Sequence, residues 1–407
     1  MFGAKGPDAS PRYLPALDGL RFCAALFVAG GHYATGFTEA PLSRGMTSFT
    51  GLGMTLFFVL SGFVIHYNYR EVLQRPGGVR FFLVARFARL YPLFIILFLA
   101  EFAFIFASES GACGKEGARG GLLFALPYYL SFTQSWFYGV ICKSSLVYQY
   151  GPMSSVTWSL SVETFFYLAY VALRTRFRGG GPSPLRSIGF AAFAYILLIV
   201  YLLTCGAFSA DIGRIGEVAF GPTATLANGY QDSLIRWLYY FNPLARVPEF
   251  VAGAAAAQIF LSRGPDREPA RVLGTKWVTV LLIAAVVAVH LVLYLGIAPH
   301  NSFIGRIASP LYGPLIALML YSVVCLPAPL PFLCNPLILA LGQASYSIYL
   351  LHEALPSLAK RLGLYGLPPT PGWLMWAASL VVLCAVSRVS YLYIEKPARA
   401  AIRRFAQ

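Results

Sequence analysis

Two ionisable side chains lie eleven residues apart in the first strongly apolar stretch of the chain. Arg21 and His32 both belong to the run LDGLRFCAALFVAGGHY. In a helix that rises ~1.5 Å per residue, they would lie roughly 16 Å apart along the axis, about half of a bilayer. An arginine near one membrane face and an imidazole near mid-depth are costly to bury, and such residues are usually functional. The pair therefore predicts a membrane protein built around a buried titratable group.

Two more acid–base side chains occur in later apolar runs. Glu163 lies in TWSLSVETFFYL, about two turns from the outer end of its predicted helix, and His352 lies in LGQASYSIYLLHEAL. We expect His32, Glu163 and His352 to meet at a similar depth, because three such groups from three helices are typical of a general acid–base site. Structural roles are the alternative: packing or helix-end histidines, and a Glu163–Arg246 ion pair that holds helices together.

A pair of arginines begins the third apolar run. Arg86 and Arg89 are three residues apart in VARFARLYP, so on a helix they face one direction and suit bidentate recognition of phosphate. Arg21 is predicted at the same membrane face. The three arginines predict a basic vestibule for an anionic, phosphate-bearing donor, and the alternative is that they are ordinary interfacial anchors.

The seven cysteines show no metal-type spacing, so we expect no metal site.

The composition restricts the class of protein. Of 407 residues, 58% are hydrophobic and 12% are charged, about half the charged fraction of an ordinary soluble domain. Several apolar runs reach the ~17–25 residues that a helix needs to cross a bilayer. We therefore expect an all-α, polytopic membrane protein. Ten transmembrane helices are predicted, at residues 19–38, 51–69, 88–107, 156–173, 187–206, 237–261, 275–296, 306–326, 336–358 and 372–394.

The net charge of +15 follows the predicted topology. More than half of the 31 lysines and arginines cluster beside apolar runs, and short basic loops of this kind stay in the cytoplasm. Both termini are then cytoplasmic, with residues 1–18 as an N-terminal segment and 395–407 as a basic tail of one transmembrane domain over residues 1–407. The positive charge thus indicates topology, and no nucleic-acid partner is expected.

One apolar run breaks the alternation of inside and outside loops. Residues 121–141 contain Pro127, Gln134 and many aromatic residues, which favours a re-entrant or interfacial segment over a further span. Cys113 and Cys142 fall on the predicted external side and could form a disulfide if that side is oxidising.

Several motifs resemble those of acyltransferase family 3, which comprises integral-membrane O-acyltransferases. The run LDGLRFCAALFVAGGHY resembles the Arg-x10-His signature of the family, and its arginine and Trp-Ser-Leu-x-x-Glu motifs resemble RFARLYP and TWSLSVETFFYL. Further blocks of the family resemble GMTLFFVLSGFVI, NPLARVPEFVAG, LGQASYSIYLLHEAL and YLYIEKPAR. One departure is Ala85, since many relatives carry a second basic residue before the motif arginine.

The resemblance implies roles for the residues already singled out. His32 matches the catalytic histidine, Arg21 its partner in the motif, and Glu163 the acidic residue of the fourth helix. Arg86 and Arg89 match positions that meet the phosphates of coenzyme A.

A membrane O-acyltransferase is the function that the resemblance implies. Acetyl from acetyl-CoA, a co-substrate, would pass to a hydroxyl of a carbohydrate such as an exopolysaccharide unit or a lipid-linked saccharide, in a bacterial cytoplasmic membrane. His32 could act as general base with Glu163 fixing its tautomer, or the acyl group could pass through an intermediate carrier.

The alternative class is a proton-coupled transporter or flippase of a saccharide or small anion, because buried His, Glu and Arg also form proton relays. The absence of inverted repeats in the sequence argues against that class.

Overall fold

In the computed structural model the chain is almost entirely helical, which confirms the all-α prediction. The structure describes residues 13–37, 40–108, 114–176, 183–263, 275–291, 311–362 and 372–405. Strands within these ranges are limited to the antiparallel pair Val140–Ile141 and Ser144–Ser145. The helices, numbered in chain order, are α1 (Pro15–Phe37), α2 (Ala40–Tyr69), α3 (Gly78–Ser108), α4 (Gly114–Leu130), α5 (Gly151–Arg176), α6 (Pro184–Ala207), α7 (Ser209–Phe220), α8 (Leu234–Arg236), α9 (Pro243–Leu261), α10 (Lys276–Leu291), α11 (Gly313–Cys325), α12 (Pro336–Gln343), α13 (Ser345–Arg361), α14 (Gly372–Ser390) and α15 (Lys396–Arg404).

Six helical stretches of the described chain are long and apolar enough to cross a membrane, which makes this a multi-pass membrane protein. Each contains one of the predicted spans. They are Gly45–Tyr69, Gly78–Ser108, Ser155–Arg176, Pro184–Ala207, Leu234–Leu261 and Gly372–Arg404. Of the other predicted spans, 275–296 and 306–326 correspond to α10 and α11 but reach into 292–310, which lies outside the described residues.

The predicted span 336–358 is not one continuous helix, because two helices meet there. α12 ends at Gln343, and Ala344 takes φ −87° and ψ 6°, which interrupts the helical path before α13 begins. Beyond this break, the first two turns of α13 are completely buried, from Ser345 to His352. The break thus directs the predicted site helix into the middle of the bundle.

Two other segments have local structure that the sequence did not specify. The run 121–141 is helical only to Leu130, after which Phe132 adopts a left-handed backbone with φ 54° and the chain turns into the strand pair. Cys142 in this region is disulfide-bonded, while its predicted partner Cys113 lies outside the described residues.

The basic tail is a helix, α15, which packs against α3, and Arg80 donates a hydrogen bond to the Phe405 carbonyl at 3.1 Å.

The core of the bundle depends on close contact between α2 and α9. A Cβ added to Gly62 would lie 1.9 Å from the Phe250 carbonyl oxygen, and one added to Gly253 would lie 1.9 Å from the Val59 carbonyl oxygen. Glycines that face each other in this way let two helix backbones touch. The contact fixes α2, which lines the site described below.

Replacing Gly62 by alanine should separate α2 from α9, since the new methyl group has no space. Overpacking of this kind costs about 1–3 kcal/mol, and we expect a lower thermal unfolding midpoint for the protein in detergent. The matched control is Gly189→Ala on α6, where an added Cβ meets nothing within 4 Å. That variant should keep or raise the midpoint because alanine favours helix by ~1 kcal/mol over glycine. Equal midpoints for the two variants would contradict the packing account.

Candidate active site

α1 and α13 bring two predicted site histidines into direct contact. His32 Nδ1 lies 2.8 Å from His352 Nε2. The next residue on α13, Glu353, places its Oε1 atom 3.1 Å from His32 Nδ1 and 3.9 Å from His352 Nε2. The His352 side chain is fully buried, whereas those of His32 and Glu353 are 31% and 30% exposed. The structure therefore joins His32 to His352 and adds the carboxylate of Glu353, which was not predicted.

The hydrogen-bond partners fix the tautomer of both rings when they are neutral. His352 Nδ1 lies 2.5 Å from the Tyr349 carbonyl oxygen, which can only accept, so this nitrogen carries the proton. His352 Nε2 is then the acceptor, and His32 Nδ1 must be its donor. The Glu353 carboxylate also accepts from His32 Nδ1, which leads to the same assignment. The lone pair of His32 is therefore on Nε2, as a general base requires.

The same three side chains could also be considered as metal ligands, since their ligating atoms lie within 4.8 Å of one another. The ring geometry favours a hydrogen bond. The planes of His32 and His352 differ by 20° and their centroids are 4.9 Å apart, so with nitrogens 2.8 Å apart the rings meet nearly end to end. Lone pairs that bind one ion must converge on a point, whereas these nitrogens face each other.

A cavity of about 310 Å³ opens at His32. We call it the histidine cavity. Its wall combines aromatic side chains with a few polar ones, and it is lined by Val28, His32, Thr50, Met54, Tyr148, Ser155, Trp158, Gln231, Arg236, Tyr240, Phe241, Tyr349 and Glu353. An aromatic cavity with convergent polar groups and a hydrogen-bonded imidazole is the usual form of a small-molecule site.

A second and much smaller cavity, of about 60 Å³, is lined by the three predicted arginines. We call it the arginine cavity. It is lined by Arg21, Arg86 and Arg89, together with Met54, Phe57, Phe58, Leu60, Ser61, Val64, Ile65, Ser159, Leu160, Glu163, Ser345, Tyr346 and Tyr349. The three arginines predicted to lie together thus line one cavity.

Local contacts hold two of these arginines in place. Asp18, in the first turn of α1, accepts from Arg21 at 2.8 Å and from Tyr13 at 2.6 Å, so an i,i+3 ion pair orients the Arg21 guanidinium. Arg86 is buried, donates to the Tyr69 hydroxyl at 2.7 Å and lies over the Tyr69 ring at 4.8 Å. Aromatic faces of this kind stabilise a desolvated guanidinium without neutralising its charge.

Glu163 lies with the arginines, so the prediction that it meets the two histidines and fixes the tautomer of His32 is wrong. Its carboxylate accepts a hydrogen bond from Ser61 at 3.2 Å and another from Tyr167. The cause is the length of α5, which begins at Gly151 and not at 156. Glu163 is therefore about 18 Å along the helix, near its middle. The alternative ion pair with Arg246 is also absent, because Arg246 Nε faces Glu249 at 3.3 Å.

The two cavities follow each other along the helices and share two lining residues, Met54 and Tyr349. Tyr349 accepts from Ser159 at 2.7 Å and donates to the Val156 carbonyl at 2.9 Å. Met54 and Tyr349 are both buried. They therefore form a thin partition between the arginines and His32.

Residues of this site that were not predicted from the sequence include Glu353, Tyr349 and Met54. Glu353 could have been found, because it is an acidic residue beside His352 in an apolar run, where a charge is costly unless it is used. The other two carry no sequence signal, since tyrosine and methionine at such positions are usually packing residues.

Comparison with known proteins identifies the family of this chain. The family model described as "Acyltransferase domain", of acyltransferase family 3, matches residues 14–392. The chain therefore belongs to this acyltransferase family, as its motifs predicted, and is an integral, multi-pass membrane protein. No solved structure matches it.

Bacterial relatives carry related names. "Acyltransferase MdmB" of Streptomyces mycarofaciens is 28% identical over 260 residues, 62% of this chain and 59% of the relative. "Putative peptidoglycan O-acetyltransferase YrhL" of Bacillus subtilis is 25% identical over 95% of this chain and 55% of the relative. "O-acetyltransferase OatA" of Staphylococcus aureus is 24% identical over 96% of this chain and 58% of the relative. The chain thus spans little more than half the length of these curated relatives.

The tautomer assignment can be tested by nitrogen-15 NMR of the protein labelled at its five histidines. We expect neutral His32 to be protonated at Nδ1 and unprotonated at Nε2. His66 is an internal control, because its Nε2 lies 2.7 Å from the Gln258 side-chain oxygen and should carry the proton. Single histidine substitutions assign the signals. A proton on Nε2 of neutral His32 would contradict the hydrogen-bond assignment.

Proposed function

We propose that this protein is a membrane O-acyltransferase that transfers acetyl from acetyl-CoA to a hydroxyl of a carbohydrate, such as an exopolysaccharide unit or a lipid-linked saccharide. The observation that carries the proposal is the pair of cavities that meet at Met54 and Tyr349, with arginines in one and His32 in the other. Membership of the acyltransferase family supports acyl transfer, and the names of two relatives support acetyl as the group.

The arginine cavity is the proposed donor site. Arg21, Arg86 and Arg89 offer guanidinium groups that suit the phosphates of coenzyme A. Glu163 lines the same cavity, and its negative charge offsets part of the mutual repulsion of the arginines. The thioester end of the donor would extend past Met54 and Tyr349 towards His32. A methionine in the partition suits this passage because its side chain is flexible.

The histidine cavity is the proposed acceptor site, in which His32 acts as general base. Its Nε2 takes the proton of the acceptor hydroxyl as that oxygen attacks the thioester carbonyl. The carbon–sulfur bond then breaks, and the thiolate leaves with the proton returned by His32. His352 and Glu353 position the ring, and the Glu353 carboxylate stabilises the imidazolium that forms between the two proton transfers.

The aromatic wall of the histidine cavity supports a carbohydrate acceptor. Trp158, Tyr148 and Tyr240 provide flat apolar faces for the C–H faces of a sugar, and Gln231 and Ser155 provide hydrogen-bonding groups. One relative is named for peptidoglycan, which also supports a saccharide.

The proposed topology has ten spans. Both termini lie in the cytoplasm of a bacterium, and the arginine cavity opens towards the cytoplasm. The basic clusters at Arg174 and Arg176 and on α15 support this orientation, because short basic segments remain cytoplasmic. Coenzyme A would then enter from the cytoplasm, and the acceptor would be modified on the other side of the cytoplasmic membrane.

His32→Gln should abolish acyl transfer, since glutamine has no base at the position of Nε2. We expect a fall of roughly 10²–10⁴-fold in acceptor-dependent thiol release from acetyl-CoA by the purified protein. The matched control is His290→Gln, a buried histidine that contacts Ser48 at 2.8 Å and lines neither cavity. Wild-type rates in His32→Gln would overturn the role of His32. A wild-type protein that releases no thiol would favour a transporter over an enzyme.

Arg89→Gln should weaken donor binding while chemistry at His32 remains intact. The loss of a charge-assisted contact predicts a rise of roughly tenfold or more in KM for acetyl-CoA with kcat nearly unchanged. Arg176→Gln, an exposed arginine at the same end of the bundle, controls for the general loss of positive charge. If both variants change KM equally, the arginine cavity is not the donor site.

A further inference from the structure

The wall of the histidine cavity includes a positively charged side chain, Arg236, that the proposed reaction does not use. Arg236 ends α8 and lines this cavity together with His32. Its guanidinium carbon lies 5.0 Å from the ring centroid of Phe241, 5.5 Å from that of Tyr230 and 5.7 Å from that of Tyr148. Aromatic faces orient a guanidinium and leave its charge in place.

Among the described residues, no carboxylate forms an ion pair with Arg236. Its Nη1 atom donates to the side-chain oxygen of Gln231 and, at 3.4 Å, to the backbone carbonyl of the same residue. Asp232 is close in sequence, but its Oδ1 accepts from Ser144 Oγ at 3.1 Å and from the Ser145 backbone N–H at 2.7 Å. A guanidinium carries five N–H donors, so Arg236 retains donors beyond those given to Gln231.

The acidic side chain that lines the same cavity is paired with the two histidines and not with Arg236. Glu353 contacts His32 and His352, and it is the acidic side chain in the wall of the histidine cavity. The cavity wall therefore contains the Glu353 carboxylate, which is paired with the His32 imidazole. It also contains the Arg236 guanidinium, which has no carboxylate partner among the described residues. A positive charge in an aromatic, partly desolvated wall favours an anion strongly.

We propose that Arg236 recognises an oxyanion on the acceptor, so that the acceptor is a saccharide carrying a carboxylate or a phosphate near the hydroxyl that is acylated. This inference rests on the proposed function, because it assigns the histidine cavity to the acceptor. Arg236 is a specificity residue here, since it binds the anion and takes no part in bond breaking.

The experiment measures binding of three sugar probes to the purified full-length protein: methyl glucoside, methyl glucuronide and glucose 1-phosphate. Tryptophan fluorescence reports binding because Trp158 lines the cavity. We expect the wild type to bind at least one anionic probe roughly tenfold or more tightly than methyl glucoside, as a charge-assisted pair provides. The anion that binds more tightly identifies the group.

Variants separate recognition from a structural role of Arg236. Arg236→Gln should lose the preference for anions and keep its affinity for methyl glucoside, whereas Arg236→Lys should keep part of the preference. Arg214→Gln is the matched control, because Arg214 is an exposed arginine of α7 paired with Asp211. It should behave as the wild type.

Three results would overturn the proposal: no anion preference in the wild type, no measurable binding of either anion, or an equal loss of all probes in Arg236→Gln. The fluorescence titration requires no acyl transfer. A protein that binds the anions but releases no thiol from acetyl-CoA would therefore refute the enzymatic function and leave anion recognition intact.

Discussion

A hydrogen bond between His352 Nδ1 and the Tyr349 carbonyl, one turn back on α13, decides the chemistry of the site. It fixes the protonation of a buried ring, which in turn requires His32 to donate from Nδ1 and to keep its lone pair on Nε2. Both partners of this bond are positioned by the helix itself, so backbone geometry sets the state of a side chain on another helix. The buried first half of α13 is therefore the element on which the histidine cavity depends.

The two cavities contain different charged groups. The arginine cavity contains three guanidinium groups with Glu163 among them, while the histidine cavity contains the carboxylate of Glu353 beside an imidazole. Two of these guanidinium groups have local partners: Asp18 pairs with Arg21, and the ring and hydroxyl of Tyr69 contact Arg86. Such compensation is needed because an isolated charge in an apolar interior is very costly.

The sequence was sufficient for the helical class and for the pairing of His32 with His352, because charges at membrane depth are rare and therefore informative. It also predicted that Arg21, Arg86 and Arg89 converge. It failed for Glu163 because helix ends are poorly marked: α5 begins five residues earlier than the apolar run suggests. The break at Ala344 was missed since a bend between two apolar helices leaves the hydrophobic pattern unchanged. Tyr349 and Met54 became site residues only through the way in which three helices pack around them.

The partition at Met54 and Tyr349 has an electrical consequence. When water fills both cavities, the insulating layer at this point is only as thick as two side chains, although the surrounding bilayer is ~30 Å thick. A transmembrane voltage falls mainly across the non-aqueous part of any path, so the field is concentrated at these two residues. Moving one elementary charge through the full voltage changes its energy by about 2.3 kcal/mol per 100 mV. In the proposed reaction this partition must therefore exclude protons and other ions at the same place where the neutral acyl group would cross.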